Sequence, residues 1–160
     1  MTFNSQDIIH DIRAELEKLI EFVSGEEAQT ATADHIERSL FRQMLKLGAK
    51  LLLLFFVIRV QKCSREPLQM EEGQELPYHS EKKRTDFSIF GKLPFWRPYF
   101  YETGADGQSP LDAELSLGSD RYSDFLREMS EYLGVYVAYS KASDVEERFL
   151  GVKLSTRVLQ

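Results

Sequence analysis

The stretch Arg84-Thr-Asp-Phe-Ser-Ile-Phe-Gly-Lys-Leu-Pro-Phe-Trp-Arg-Pro-Tyr-Phe-Tyr101 decides the fold class. Short alternating runs bounded by glycine and proline are strand signals, and this one holds two of them. Thr85 to Phe90 and Leu93 to Tyr101 read as strands joined through Gly91-Lys92. Pro94 and Pro98 make the second an edge strand, because proline gives no ladder hydrogen bond. Alternation turns Phe95, Arg97 and Tyr99 one way and Trp96, Pro98 and Phe100 the other. Upstream, Leu68 to Met70 and Glu75 to Tyr78, joined through Glu71-Glu-Gly-Gln74, read as a shorter hairpin. The expectation is a small antiparallel sheet with an aromatic face.

Helical periodicity flanks this region on both sides. From Ser5 to Val23, Ile8, Ile9, Ile12, Leu16, Leu19, Ile20 and Val23 fall on one face, with Ser5 as N-cap and Ser24-Gly25 as the stop. Gly25 to Thr32 reads as a linker. A longer helix begins at Thr32 to Asp34 and runs to about Gln61, with Asp34 and Glu37 spaced as a capping box. Ile36, Leu40, Met44, Leu47, Leu51, Leu54, Phe55 and Ile58 keep its spacing, and its later half is apolar nearly all round. Gly48 inside it suggests a close helix crossing. That helix is either half of a buried hairpin or an oligomerisation surface. After Pro110-Leu111-Asp112 a helix is expected from about Ser119 to Leu133, capped by Ser119 or Asp120 and ended by Gly134. Val135 to Ala138 fits strand or helix equally. Ser140 to Leu150 reads as a helix, Gly151 to Leu154 as a turn, and Ser155 onward as the first turn of another helix. The fold class is α+β: an N-terminal helical hairpin over 1–62, an antiparallel β-hairpin region over 63–103, and a helix-turn-helix-like cluster over 104–160.

Composition narrows the functions. The 160 residues carry 20 Lys and Arg against 26 Asp and Glu, net -6, which disfavours nucleic-acid binding by charge over the whole surface. One cysteine, Cys63, excludes an internal disulfide framework and any multi-cysteine zinc site. It reads as an inert thiol at a helix end. His10, His35 and His79 are too scattered for a dedicated metal site. The longest uninterrupted apolar stretch, Leu51 to Ile58, is far short of the roughly 20 residues that span a bilayer. No secretory signal opens the chain, so a cytoplasmic protein without a membrane partner is expected.

No catalytic constellation, phosphate loop or nucleophile elbow stands out. Glu15, Glu17 and Glu21 read as a solvated acidic face, and His79 as a surface histidine. Neither an enzyme nor a small-molecule substrate is expected, and no cofactor. Two features carry binding chemistry. Between Glu81 and Tyr101, Lys82, Lys83, Arg84, Lys92 and Arg97 stand against Glu81 and Asp86 alone, with aromatic residues interleaved. Such a strip tracks a phosphate backbone while rings stack; equally, the rings are sheet core and the basic run a soluble edge. The second feature is the C-terminal helix, glycine-containing turn and helix, which suits helix-turn-helix DNA contact through Lys153, Ser155, Thr156 and Arg157 or an ordinary helix pair.

Several stretches together resemble the N-terminal part of bacterial insertion-sequence transposases of the Kra type, which are DDE-type enzymes. They are Thr32-Ala-Asp-His-Ile-Glu-Arg-Ser-Leu40 with Leu45 to Phe56, Arg84-Thr-Asp-Phe-Ser-Ile-Phe-Gly91, Phe95-Trp-Arg-Pro-Tyr-Phe-Tyr101 and Pro110-Leu-Asp-Ala-Glu-Leu115. Tyr122-Ser-Asp-Phe-Leu-Arg-Glu-Met129 and Leu154-Ser-Thr-Arg-Val-Leu159 also fit. The resemblance implies DNA transposition, with this region a non-catalytic entry module ahead of an RNase H-like domain. The family's acidic triad and its two divalent metal ions would belong to that missing part, and no catalytic residue maps here. The expectation is a truncated fragment with residual contact to DNA at the element ends. The alternative is an interaction protein that forms homo-oligomers or joins a full-length transposase through Leu51 to Ile58.

Overall fold

A computed structural model describes residues 4–71, 73–136 and 139–151. The chain is mixed helix and strand, as the α+β reading expects. The turn-and-helix proposed to carry Lys153, Ser155, Thr156 and Arg157 lies outside the described residues, as do positions 137–138.

Helix α1 spans Ser5–Ser24, and its cap is Asn4 rather than Ser5: the Asn4 side chain accepts from the Gln6 N–H at 3.0 Å. The presumed linker contains a short helix, α2, Glu26–Thr30. Helix α3, Ala33–Gln61, is capped by Thr32, whose hydroxyl accepts from the His35 N–H at 3.3 Å. Asp34 makes no capping box; its carboxylate takes the Arg38 guanidinium one turn on, at 2.9 Å. The two long helices pack antiparallel. Phe22 lies 6.5 Å from the His35 ring, Glu15 accepts from Lys50 Nζ at 3.1 Å, and Ile8, Leu19 and Leu47 are buried. Glu15 is thus a bridge between helices, not part of a free acidic face, and the Lys50 hydrogen bond holds its carboxyl below the usual value.

The strands form two separate two-stranded antiparallel ladders rather than one sheet. The first pairs β1, Leu68–Gln69, with β2, Glu75–Leu76. The second pairs β3, Tyr78–Ser88, with β4, Gly91–Phe100. Its turn is Ile89-Phe90, earlier than expected. Gly91 is not the middle of the turn but the residue after it, at φ 102°, a conformation costly for any residue with a Cβ. The Ser88 hydroxyl accepts from the Phe90 N–H at 3.1 Å and holds the turn closed. Because β3 begins at Tyr78, the basic run 81–84 lies inside the strand and not ahead of it. Burial alternates along β4 through Leu93, Phe95 and Arg97, then breaks, since Pro98 and Phe100 are buried as well. The break faces a register shift between Tyr78 and Ser80. The Phe100 N–H points away from β3, to the Gln108 carbonyl at 2.8 Å. Pro94 and Pro98 share its parity, so their nitrogens face the same outer edge and no ladder bond is lost.

The hairpin lies on the second half of α3. Phe56, Val60, Leu93, Phe95 and Leu111 make the main core, and the Phe56 and Phe95 rings sit 4.6 Å apart. Each such side chain stabilises the fold by about 1.5–3 kcal/mol. Leu111 arrives on a short helix not anticipated from the sequence, α4, Pro110–Glu114, with Pro110 in its first turn. It ends on Ser116 in a left-handed conformation, φ 53°. Hydrogen bonds from Leu117 to Asp112 and from Ser116 to Ala113 complete a Schellman cap, which turns Leu115 and Leu117 back onto the core.

Helix α5 is Asp124–Tyr136, starting later than Ser119 and continuing through Gly134. The reason for the late start is tertiary. Residues 121–123 are drawn onto the edge of β3, where Phe87 donates to the Arg121 carbonyl and Ser123 donates to the Phe87 carbonyl, both at 2.8 Å. The Tyr122 ring stacks on Phe87 at 5.4 Å. Ser123, not Ser119 or Asp120, caps α5 by accepting from the Leu126 N–H. Helix α6, Tyr139–Leu150, follows and stops at Gly151.

Gly48 serves a close approach, but of the hairpin turn rather than a helix. A Cβ there would meet the Phe90 ring at 2.5 Å. Gly48→Val should therefore destabilise the protein by about 1–3 kcal/mol, read as a lower thermal midpoint. Phe90→Ala in the same background should recover part of the loss.

Candidate functional site

The five basic residues of the hairpin divide into two groups. Arg84 and Arg97 are buried, at 6% and 8% exposure, and their guanidinium groups converge on the Asp112 carboxylate. Arg97 Nη2 donates to Asp112 Oδ2 at 2.7 Å and Arg84 Nη1 to the same oxygen at 2.9 Å. Arg84 Nε also donates to Asp86 at 2.7 Å, and its third nitrogen to the Gly118 carbonyl. Arg97 Nη1 reaches the Lys82 carbonyl at 3.2 Å. Burial alone would lower the Arg84 pKa, but the hydrogen bond and charge of Asp86, with Asp112, outweigh it and raise it. These arginines clamp the hairpin to the 110–118 segment, so they do not offer free charge to a phosphate backbone.

Lys82, Lys83 and Lys92 are exposed. Register places Lys83 opposite Trp96 and Lys92 opposite Phe87, on the face away from Arg84 and Asp86. Lys83 Nζ lies 5.1 Å from the Trp96 ring and Lys92 Nζ 5.9 Å from Phe87. Lys82 belongs to the other face by parity, with its ammonium 4.2 Å from the Tyr99 ring. Tyr99, Tyr101 and His79 make an adjacent aromatic cluster, the two tyrosines stacked at 6.2 Å. The structure therefore sets Lys83 and Lys92 on one face, four ladder positions apart, and Lys82 on the other.

Cys63 is half-buried, and its thiol donates to the Arg59 carbonyl at 3.3 Å. Desolvation, reinforced by Glu114, pushes its pKa up and keeps it a thiol. Among the described residues, no group of three or more His, Cys, Asp or Glu is placed to hold a metal ion. No described helix is long and apolar enough to cross a membrane.

A different surface, only half visible in the sequence, is more extensive. On α1, Leu16, Ile20 and Val23 remain 44–49% exposed, and on α3 so do Phe41, Met44, Leu51 and Phe55. In both helices the stripe sits roughly 40–120° round from the buried residue, Leu19 or Leu47, in the same rotational sense. Two antiparallel helices with that offset present their stripes on one side. The expected apolar faces of both helices are thus only partly covered by each other and by the hairpin.

The arginine clamp yields a direct test. Asp112→Asn leaves two buried guanidinium groups short of a charge partner and should cost about 3–5 kcal/mol, measured as a lower urea midpoint. Asp34→Asn, breaking the exposed pair with Arg38, should leave the midpoint essentially where it was. No protein-family model, curated protein or solved structure matches the chain.

Proposed function

We propose that this chain is a non-catalytic assembly module, and that two copies pair through the shared apolar face of α1 and α3. The observation that carries this is the seven-residue stripe. Side chains of this size, each 44–49% exposed, leave on the order of 600 Å² of surface in water, against about 800 Å² per partner in a standard interface. The largest apolar patch on a typical monomer is about 300–600 Å², and patches of that size are often functional. Phe41 with Met44 and Leu51 with Phe55 keep the 3- and 4-residue spacing that suits packing against another helix, while the Phe90 ring of the hairpin turn covers Gly48 between the two pairs. In the transposition setting that the motif resemblance implies, the second partner would be the corresponding face of a full-length transposase.

Sedimentation velocity from 1 to 100 μM tests the pairing. The expected result is a dimer that dissociates on dilution, and a monomer for Ile20→Lys/Leu51→Lys with unchanged circular dichroism. A wild-type monomer at 100 μM would sink the reading.

A second reading rests on Lys83 and Lys92 beside Trp96 and Phe87. In it, this face of the hairpin contacts single-stranded nucleic acid by stacking and charge. Lys83→Ala/Lys92→Ala should then weaken binding of a fluorescent oligothymidine at least tenfold and flatten its salt dependence. Equal retention by the double variant would remove the hairpin from any such contact.

A further inference from the structure

A cleft of about 480 Å³ lies between the first three turns of α3 and the last turn of α6. Asp34, Glu37, Arg38, Phe41 and Arg42 line one wall, and Arg148 and Phe149 the other. Arg38 is already engaged: its Nε donates to both Asp34 oxygens, at 2.9 and 3.0 Å. Arg42 and Arg148 are exposed, and neither makes a hydrogen bond or ion pair among the described residues. Two unengaged guanidinium groups thus meet one cleft from opposite walls. Beside them stand Phe41 and Phe149, 45% and 58% exposed.

The guanidinium fork matches an oxyanion in shape and charge, and rings left half in water gain by packing on another ring. The charge balance then selects the anion. Asp34 neutralises Arg38, and Glu37 offsets one of the two remaining cations, so a single negative charge completes the cleft and a double one overfills it. The volume lies in the range of about 300–1,000 Å³ that small ligands occupy. We propose that the α3–α6 cleft binds a small aromatic carboxylate, its oxygens between Arg42 and Arg148 and its ring against Phe41 and Phe149. Because these charges are exposed, the attraction weakens with salt.

Ligand-observed ¹⁹F NMR on the unaltered chain tests this, with 4-(trifluoromethyl)phenylacetate as the probe. Saturable broadening is expected at low salt, and weaker binding at high salt. The neutral amide of the probe should bind at least tenfold more weakly, and trifluoroacetate, which lacks the ring, should not bind. 4-(Trifluoromethyl)phenyl phosphate should bind no more tightly than the probe. Arg42→Gln/Arg148→Gln should weaken the probe at least tenfold with unchanged circular dichroism, since both side chains are exposed. Arg13→Gln/Lys46→Gln removes the same charge from exposed positions outside the cleft and should leave the affinity within twofold. An unbroadened probe, or equal loss in the two double variants, would overturn the site. Equal affinity for acid and amide would overturn the role of the arginines, and tighter binding of the phosphate would overturn the choice of a carboxylate.

Discussion

Asp112 is the pivot of this fold. One carboxylate accepts from Arg84 on β3 and Arg97 on β4, and it sits in the first turn of α4, where the helix dipole also favours a negative charge. Both arginines are buried, so the hairpin settles against the 110–118 segment only when Asp112 is in place. That positioning delivers Leu111, Leu115 and Leu117 to the core around Phe56 and Phe95. Apolar burial supplies most of the stabilisation, and the ion cluster fixes the register in which the burial occurs. The packing and the charges therefore specify one arrangement together.

The residues on which the sequence resemblance rests have structural partners within this chain. Arg84, Arg97 and Asp112 are charged residues among them, and here they bind one another. Phe87 supports Tyr122, and Gly91 takes the positive φ that ends the hairpin turn. Read as a line of letters, the same arginines look like phosphate ligands. What separates the two meanings is burial, which depends on partners fifteen and twenty-eight residues away.

Local chemistry was legible where local physics decides. The long helices followed from periodicity over several turns, and the paired strands from alternation between glycine and proline. The first turns of α1 and α3 lie where periodicity places them, but the capping residue was misread wherever a neighbour made the better cap, as with Asn4, Thr32 and Ser123. The start of α5 was unreadable from its own residues, because residues 121–123 are held by Phe87. The apolar faces of α1 and α3 were visible as stripes. How much of each stripe the neighbours leave open depends on the rotation of the helices about their axes, which spacing alone does not determine. The basic strip broke up for a similar reason: alternation assigns faces, but only the packing of α4 decides which face is interior.

The prolines of β4 have a consequence for how these chains can meet. An unpaired strand edge normally invites another strand, and from there an open-ended stack. Pro94 and Pro98 leave the outer edge of β4 without two of its donors, and Gln108 already occupies Phe100. On the far edge of the ladder, Arg121 and Ser123 occupy Phe87. Strand addition is hindered along the outer edge of β4 and at the Phe87 end of β3. In the proposed pairing, contact between copies falls to helical faces, where a two-fold arrangement buries the same patch on both partners and closes on itself. Such a pair is a finite particle rather than a fibre.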